Sequence, residues 1–347
     1  MTRKKKILII TQKVDINDDL LGFFHRWIEE FAKHFERVIV ICLQKGEYDL
    51  PQNVKVLSLG KEQGRSRLKY LFNFYKYVFQ ERKNYDAVFV HMNPIYIVLG
   101  GIFWKIWRKK VLLWYIHPKA DKFLKPAIFL VDKIFTASPY SFPLKSKKLE
   151  ITGHGIDLTF FKRYEEIKKI PNSLLFVGRI SPVKNLHILI DAVNILHQSG
   201  ADFVLNILGD KDERFPDYFE KIKKDSTSLE KLGKIKFLGK ISNKEMPKIY
   251  NQSEVLINLT PSGSFDKAIL EAMACECLVL VANKSFEGIL PKGFIFKENN
   301  MNELVNKINF SMKLSEEDKK LYGLKFRDYV YKNHNLNKFI KNIINCL

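Results

Sequence analysis

The sequence predicts an α/β chain built from two Rossmann-like domains, each a doubly wound parallel sheet. Three observations carry this prediction. Short apolar runs alternate with segments of helical spacing along the whole chain. The alternation pauses at a polar tract, KRYEEIKKIPNS (162–173), and then starts again. Finally, 347 residues with 46% hydrophobic content suit two cores of ordinary size and exclude global disorder.

KILIIT (6–11) is bounded by polar residues, as expected for a strand covered on both faces. After the loop QKVDINDDLLG comes FFHRWIEEFAKHF, in which Phe24, Trp27, Ile28 and Phe31 recur at helical spacing. RVIVICL (37–43) and VKVLSL (54–59) are the next strands, and a basic, aromatic helix is predicted at 66–82. DAVFVHM (86–92) and VLLWYIH (111–117) follow, and IFTAS (134–138) and LEITGHGI (149–156) close the first half. In the second half SLLFVGR is a strand, and Leu186, Leu189, Val193 and Leu196 mark one face of a helix. FVLNILG (203–209), IKFLG (235–239), EVLINL (254–259) and CLVLVA (277–282) are later strands. In the last segment, LNKFIKNIINCL, Leu336, Phe339, Ile340 and Ile343 have helical spacing. The expected domains are 1–165, 166–327, and a C-terminal helix, 328–347, packing back on the first domain. No strand order follows from the sequence alone.

The formal net charge is +20, with 58 Lys plus Arg against 38 Asp plus Glu, which draws the protein toward phosphates. The bland account is genome composition, since the lysines are scattered through every segment. Cys42, Cys275, Cys277 and Cys346 are too few for a disulfide framework and fit a reducing cytoplasm. Cys275-Glu276-Cys277 has no second pair to complete a tetrahedral metal set and reads as packing. The basic start, MTRKKKILIITQKVD, has too short an apolar core for a signal peptide. The run IYIVLGGIFW (95–104) is far short of the ~18 residues that a spanning helix needs. The expected location is therefore cytoplasmic. SRLKYLFNFYKYVFQERK (66–83) and WKIWRKK (104–110) interleave aromatics with cations; a core-facing helix with a solvated basic side is the ordinary account, and an anionic membrane surface is a candidate partner. No recognition helix, finger or RNA-binding signature appears, so charge alone would support a nucleic-acid binder, and no nucleic-acid partner is expected.

In open parallel sheets ligands bind beyond the carboxyl ends of the strands. VGRISPVKNL places Gly178, Arg179 and Lys184 just after one strand, beside the start of a helix, as a diphosphate clamp requires. ILGDKDE and FLGKIS end strands in Gly209 and Gly239, where a base or ribose can rest against backbone. The loop NLTPSGSFDKAILEAMAC offers small side chains, backbone amides and then Glu271, whose carboxylate can accept two ribose hydroxyls. Gly22 opens the first helix without a Cβ to obstruct a phosphate, and His117 directly follows a strand. His91 and His154 stand in similar places and are equally open on this argument.

VGRISPVKNL, ITGHGIDLTFF and SGSFDKAILEAMAC together resemble the signature segments of the family 4 glycosyltransferases, over nearly the whole chain. The resemblance implies the GT-B fold, with the two domains facing a central cleft. It also implies retaining transfer of a sugar from a UDP-, GDP- or ADP-sugar to a sugar or lipid-linked acceptor, with no bound metal and no cofactor. By position, Arg179 and Lys184 would neutralise the departing diphosphate, Glu271 would bind the ribose, and His117 would meet the donor sugar. Gly22 would approach the diphosphate, and the Ile241 backbone would meet the base. The family motif's first glutamate is replaced here by Gly263, and Asp266 stands for its usual glycine. Asp266 or Lys267, with the amides of Ser264 and Phe265, would then take over part of the donor-sugar contact. An epimerase of the same fold is the alternative implied by the same residues.

Overall fold

The computed structural model describes residues 5–262 and 265–347. The chain forms two compact units, one of Met1–Gly155, Ser242–Lys244 and Asn335–Leu347, the other of Ile156–Ile241 and Glu245–His334. In chain order the first unit begins with β1 (Lys6–Val14), α1 (Gly22–His34), β2 (Arg37–Lys45), β3 (Val54–Ser58) and α2 (Arg67–Gln80). It continues with β4 (Ala87–His91), α3 (Pro94–Ile106), β5 (Lys110–Trp114), α4 (Leu124–Leu130), β6 (Lys133–Thr136) and β7 (Leu149–Ile151). The second unit holds β8 (Ser173–Val177), α5 (Leu186–Gln198), β9 (Val204–Leu208), α6 (Pro216–Lys231), β10 (Ile235–Gly239) and α7 (Met246–Gln252). Then come β11 (Val255–Asn258), α8 (Lys267–Ala274), β12 (Leu278–Val281), α9 (Met301–Met312) and α10 (Glu316–Asn333). The last helix, α11 (Leu336–Asn345), belongs to the first unit.

Both sheets are parallel, ordered β3-β2-β1-β4-β5-β6-β7 and β10-β9-β8-β11-β12. In each, the chain winds outward from its first strand and then reverses, which leaves a switch point between β1 and β4 and another between β8 and β11. The expected class of two Rossmann-like α/β domains is therefore the observed one.

Strand alternation explains how the first unit buries both faces. Leu8, Ile10, Ile39, Ile41, Val88 and Val90 point to α2, α3 and α4. Their neighbours Ile7, Ile9, Val38, Val40 and Phe89 point to α1 and α11. On the second face the Trp27 and Phe339 rings lie 4.5 Å apart, and Asn337 Nδ2 donates to Glu30 Oε1 at 2.7 Å.

The run at 95–104 forms most of α3. Pro94 occupies its first turn, and a Cβ on Gly101 would lie 3.0 Å from Leu130, so this glycine lets α3 and α4 approach closely. β5 stops at Trp114, leaving Tyr115–His117 outside the strand. LEITGHGI contributes only three strand residues, because Gly153 at φ +73° turns the chain out of the sheet.

The polar tract after 162 is fastened to the second unit. Asn251, fully buried, accepts hydrogen bonds at Oδ1 from Arg163 Nη1 (3.1 Å) and Tyr164 N (2.8 Å). Its Nδ2 donates to Lys162 O and Pro247 O, both at 2.8 Å. Asn251→Ala strands these groups and is expected to lower stability by about 1–3 kcal/mol. A urea midpoint unchanged from wild type would show that the tract holds without it.

Candidate active site

In the second unit three strands end side by side in glycine. Gly178 N donates to Leu208 O at 3.0 Å, and Gly209 N donates to Gly239 O at 2.8 Å, so the loops after β8, β9 and β10 are stacked. Gly178, Gly209 and Gly239 have φ of +152°, +123° and +66°. The backbone there is bare and tightly drawn together.

Arg179 follows Gly178 and is half exposed. Its Nη1 lies 3.7 Å from Asp212 Oδ2. Asp212 is also gripped in a fork by Arg214, through Nε at 2.8 Å and Nη2 at 2.6 Å. The Arg214 hydrogen bonds, opposed by burial and helped by the charge of Arg179, pull the Asp212 carboxyl down to about 2. It therefore stays ionised at neutral pH and anchors Arg179 from behind. Sequence reasoning missed this pair. Its signal was Asp-x-Arg in the loop after a glycine-ended strand.

Lys184 ends a short 3₁₀ turn, Pro182–Lys184, and Asn185 at φ +51° sets the direction of α5. Lys184 Nζ donates to Asp266 Oδ2 at 2.6 Å and to Thr260 Oγ1 at 3.0 Å. Asn258 Nδ2 (2.9 Å) and Thr260 Oγ1 (2.7 Å) also donate to Asp266 Oδ2. Burial works against the Asp266 carboxylate, but the Lys184 charge and these hydrogen bonds outweigh it and hold its pKa below the ordinary value. Lys184 follows β8, while Asn258 ends β11 and Thr260 follows it, so the network closes the switch point of the second sheet.

Asp266 directly precedes α8, and Lys267 and Glu271 sit one turn apart along it, with Lys267 Nζ 3.8 Å from Glu271 Oε1. Tyr250 OH donates to Glu271 Oε2 at 3.1 Å. Glu271 is buried, and desolvation raises its pKa despite Lys267 and Tyr250. Phe265 is buried in a stack with Phe286 (4.6 Å) and His334 (5.4 Å), which fixes the loop just before α8. Gly263 and Ser264 lie outside the described residues. Ahead of them Ser262 is pinned to Glu298 Oε1 through both N (2.8 Å) and Oγ (2.6 Å). Ser262 and Glu298 also border a cavity of about 940 Å³ with Lys284 and Lys307. Of the small-residue loop singled out from the sequence, Ser262 alone among the described residues lines that cavity. Ile241 is half-buried beyond β10. Cys275 and Cys277 are buried thiols, the latter pushed up to about 11 by desolvation.

In the first unit Gly22 is the first residue of α1 and is crowded by protein. A Cβ there would lie 3.2 Å from both Ile16 O and Asn243 Cβ, which accounts for the glycine by packing. Lys13 engages two acids of the loop before it, donating to Asp18 Oδ2 at 2.6 Å and lying 3.0 Å from Asp15 Oδ2. Asp18 Oδ1 accepts from Leu20 N and Leu21 N. His117 is exposed, with Nδ1 between Lys119 N (3.1 Å) and Lys119 O (3.0 Å). It lines a cavity of about 260 Å³ with Met92, Tyr115, Lys119, Ala120 and Asp121. Met92 holds φ +65°, a strained conformation for a long side chain, directly after β4. His91 and His154 are placed differently: both are buried, and His91 stacks on Phe24 (4.3 Å) and Trp114 (5.2 Å). They serve packing.

Residues 159–323, almost all of which lie in the second unit, match the family model described as glycosyl transferases group 1. The tRNA-queuosine alpha-mannosyltransferase of Drosophila melanogaster is 28% identical over 168 residues, 48% of this chain and 41% of that protein. An uncharacterized 41.2 kDa protein in the cps region of Klebsiella pneumoniae is 24% identical over 193 residues, 52% of this chain and 48% of that protein. The chain thus aligns with less than half of the length of these curated relatives. Among solved structures, Anabaena HepE in complex with UDP and glucose superimposes with a TM-score of 0.76 at 19% identity, covering 98% of both chains. Sucrose-phosphate synthase from Thermosynechococcus elongatus gives 0.75 at 15% identity, covering 99% of this chain and 98% of that one. The fold is GT-B.

Proposed function

We propose that the chain moves a sugar from a nucleotide-sugar donor to a hydroxyl of a glycan, lipid-linked or other acceptor, in the synthesis of cell-envelope polysaccharide or glycolipid. One observation carries this reading. Two cations, Arg179 held by Asp212 and Lys184 held by Asp266, stand at strand ends of a domain that matches the group 1 glycosyl transferases. HepE, solved with UDP and with UDP-glucose, supports a nucleoside diphosphate as leaving group.

The reaction breaks the bond between the anomeric carbon and the β-phosphate oxygen, and the electron pair leaves with the phosphate. The acceptor oxygen bonds to the anomeric carbon from the same face and passes its proton to the departing phosphate, which gives retention. Arg179, Lys184 and the amides ahead of α8 stabilise the charge that develops on the diphosphate, and the two cations, held in advance by Asp212 and Asp266, need little reorganisation. Glu271 takes the ribose hydroxyls, the Ile241 backbone takes the base, and His117 contacts the donor sugar. No resident metal or cofactor enters this scheme. Its setting is the cytoplasm, at a membrane surface where the acceptor is lipid-linked, and no helix among the described residues is long and apolar enough to cross a membrane.

Thermal-shift titration with UDP, GDP and ADP and their sugars tests the donor class, and analysis of the product anomer tests retention. Free sugar released as its epimer without an acceptor would replace transfer by epimerisation. For His117→Ala the expected result is a roughly tenfold or greater loss of transfer, as for a lost general acid–base or polar contact. Unchanged transfer together with unchanged donor hydrolysis would remove His117 from the site.

A further inference from the structure

We propose that the outer face of α2, α3 and α4 is a docking surface for an anionic lipid bilayer. This deepens the reading of a membrane-presented acceptor. Vesicle binding is measured without glycosyl transfer, so either reading can fail alone.

The inner sides of these helices are already satisfied. Phe74 and Val78 of α2, Ile97 and Trp104 of α3, and Leu124 and Ala127 of α4 are buried against one face of the first sheet. A helix packed in this way ordinarily turns polar residues outward. Here the outward positions stay apolar: Leu68 is 82% exposed, Phe72 68%, Ile106 69% and Phe129 79%. In α2 the positions 68, 72, 76 and 79 follow one another at helical spacing, so Leu68, Phe72, Lys76 and Phe79 form one stripe.

The three helices form a continuous surface. Phe103 of α3 meets Phe79 at 5.0 Å and Tyr75 at 6.0 Å, and Gly101 lets Leu130 of α4 close against α3. Lysines stand one turn from the protruding apolar groups, Lys76 beside Phe72, Lys105 beside Ile102, and Lys125 beside Phe129. None of the three helices contains an Asp or Glu. The acids that flank them are engaged elsewhere: Glu81 is buried and bonds Lys55, Asp121 accepts from the amides of Phe123 and Leu124, and Asp132 accepts from Val111 N. By contrast α1, on the opposite face of the sheet, carries both signs of charge in Arg26, Glu29, Glu30 and Lys33.

Apolar side chains that protrude among cations, with no carboxylate between them, complement an anionic interface. The rings and aliphatic chains enter the boundary below the headgroups, and the lysine stems reach back to the phosphates. A nucleic acid would leave the aliphatic groups Leu68, Ile102 and Ile106 without a partner.

The test is co-sedimentation of the full chain with vesicles of phosphatidylcholine alone and of phosphatidylcholine mixed with phosphatidylglycerol. Binding to the mixed vesicles is expected to exceed binding to the neutral ones by about tenfold and to weaken with salt. The triple variant F72S/I106S/F129S is expected to bind about tenfold or more weakly with an unchanged melting temperature, since all three side chains are exposed. A second variant, K76Q/K105Q/K125Q, touches only solvated lysines and is expected to lose the preference for anionic vesicles. Wild-type protein left in the supernatant with anionic vesicles at low salt would overturn the proposal. So would serine variants that bind as well as wild type, or a dimer in sedimentation velocity that these variants abolish while wild type ignores vesicles.

Discussion

Lys184→Ala is expected to lower the rate of sugar transfer by roughly 10²-fold or more, because in the proposed reaction it removes a fixed cation from the leaving diphosphate. The ammonium cannot swing freely. It is held between Asp266 Oδ2 (2.6 Å) and Thr260 Oγ1 (3.0 Å), and its loop is set by the turn that ends at Asn185. That preorganisation is what gives a charge its catalytic value, and it also gives Lys184 a structural duty. The two roles separate experimentally. In Lys184→Ala the Asp266 carboxylate, only part-exposed, loses its counter-charge, so a lowered melting temperature accompanies the lost rate. In Asp266→Asn the cation remains but its anchor weakens, so donor KM is expected to rise more than kcat falls. If Lys184→Ala lost melting temperature while turning over donor at the wild-type rate, the ammonium would be a pin for the switch point and nothing more. Lys184→Arg keeps the charge in a different shape, and an intermediate rate is expected.

Much of this was legible in the sequence, and the parts that were not share a cause. The strands could be read from apolar runs because a parallel sheet covered on both sides tolerates little else. The helices α1 and α11 could be read from the spacing of Phe24, Trp27 and Ile28 and of Leu336, Phe339 and Ile340. Arg179 and Lys184 could be placed because they directly follow β8. Strand order was invisible, and with it the partner of Lys184: Asp266 lies 82 residues further along the chain and meets it only because β11 pairs with β8. Asp212 was passed over for a related reason, since its task is to hold Arg179 from the neighbouring loop after β9. Glu271 reads as a carboxylate among apolar neighbours, but its bond to Tyr250 of α7 depends on how two helices pack. The histidines show a signal that was present and unused. His91 shares strand parity with Phe89, so alternation alone turns its ring toward α1, whereas His117 lies beyond the end of β5 and escapes that constraint.

Gly209→Val is expected to cost the second unit about 2–6 kcal/mol, adding roughly 1–3 for a non-glycine residue at positive φ to roughly 1–3 for overpacking. The backbone at Gly209 has φ +123°, a region that a β-branched side chain avoids. A Cβ built there would meet Gly178 O at 2.1 Å and Gly178 C at 2.7 Å, and both of these are backbone atoms that cannot rotate aside. Relief requires the loops after β8 and β9 to part, which stretches the Gly178 N to Leu208 O hydrogen bond between them. Arg179 is the residue after Gly178, so the same parting moves its guanidinium away from Asp212 and, in the proposed site, weakens its hold on a diphosphate. The variant is therefore expected to show a lowered urea midpoint and, where it remains folded, weaker nucleoside diphosphate binding by calorimetry. Gly239→Ala supplies the comparison, because a Cβ at Gly239 meets nothing within 4 Å and its φ of +66° costs about 1 kcal/mol alone. Equal losses in the two variants would show that positive φ, and not the approach of β8 to β9, sets the requirement for glycine at 209. A larger loss at 209, with diphosphate affinity falling alongside stability, would tie the bare glycine ends of the strands to the seating of Arg179.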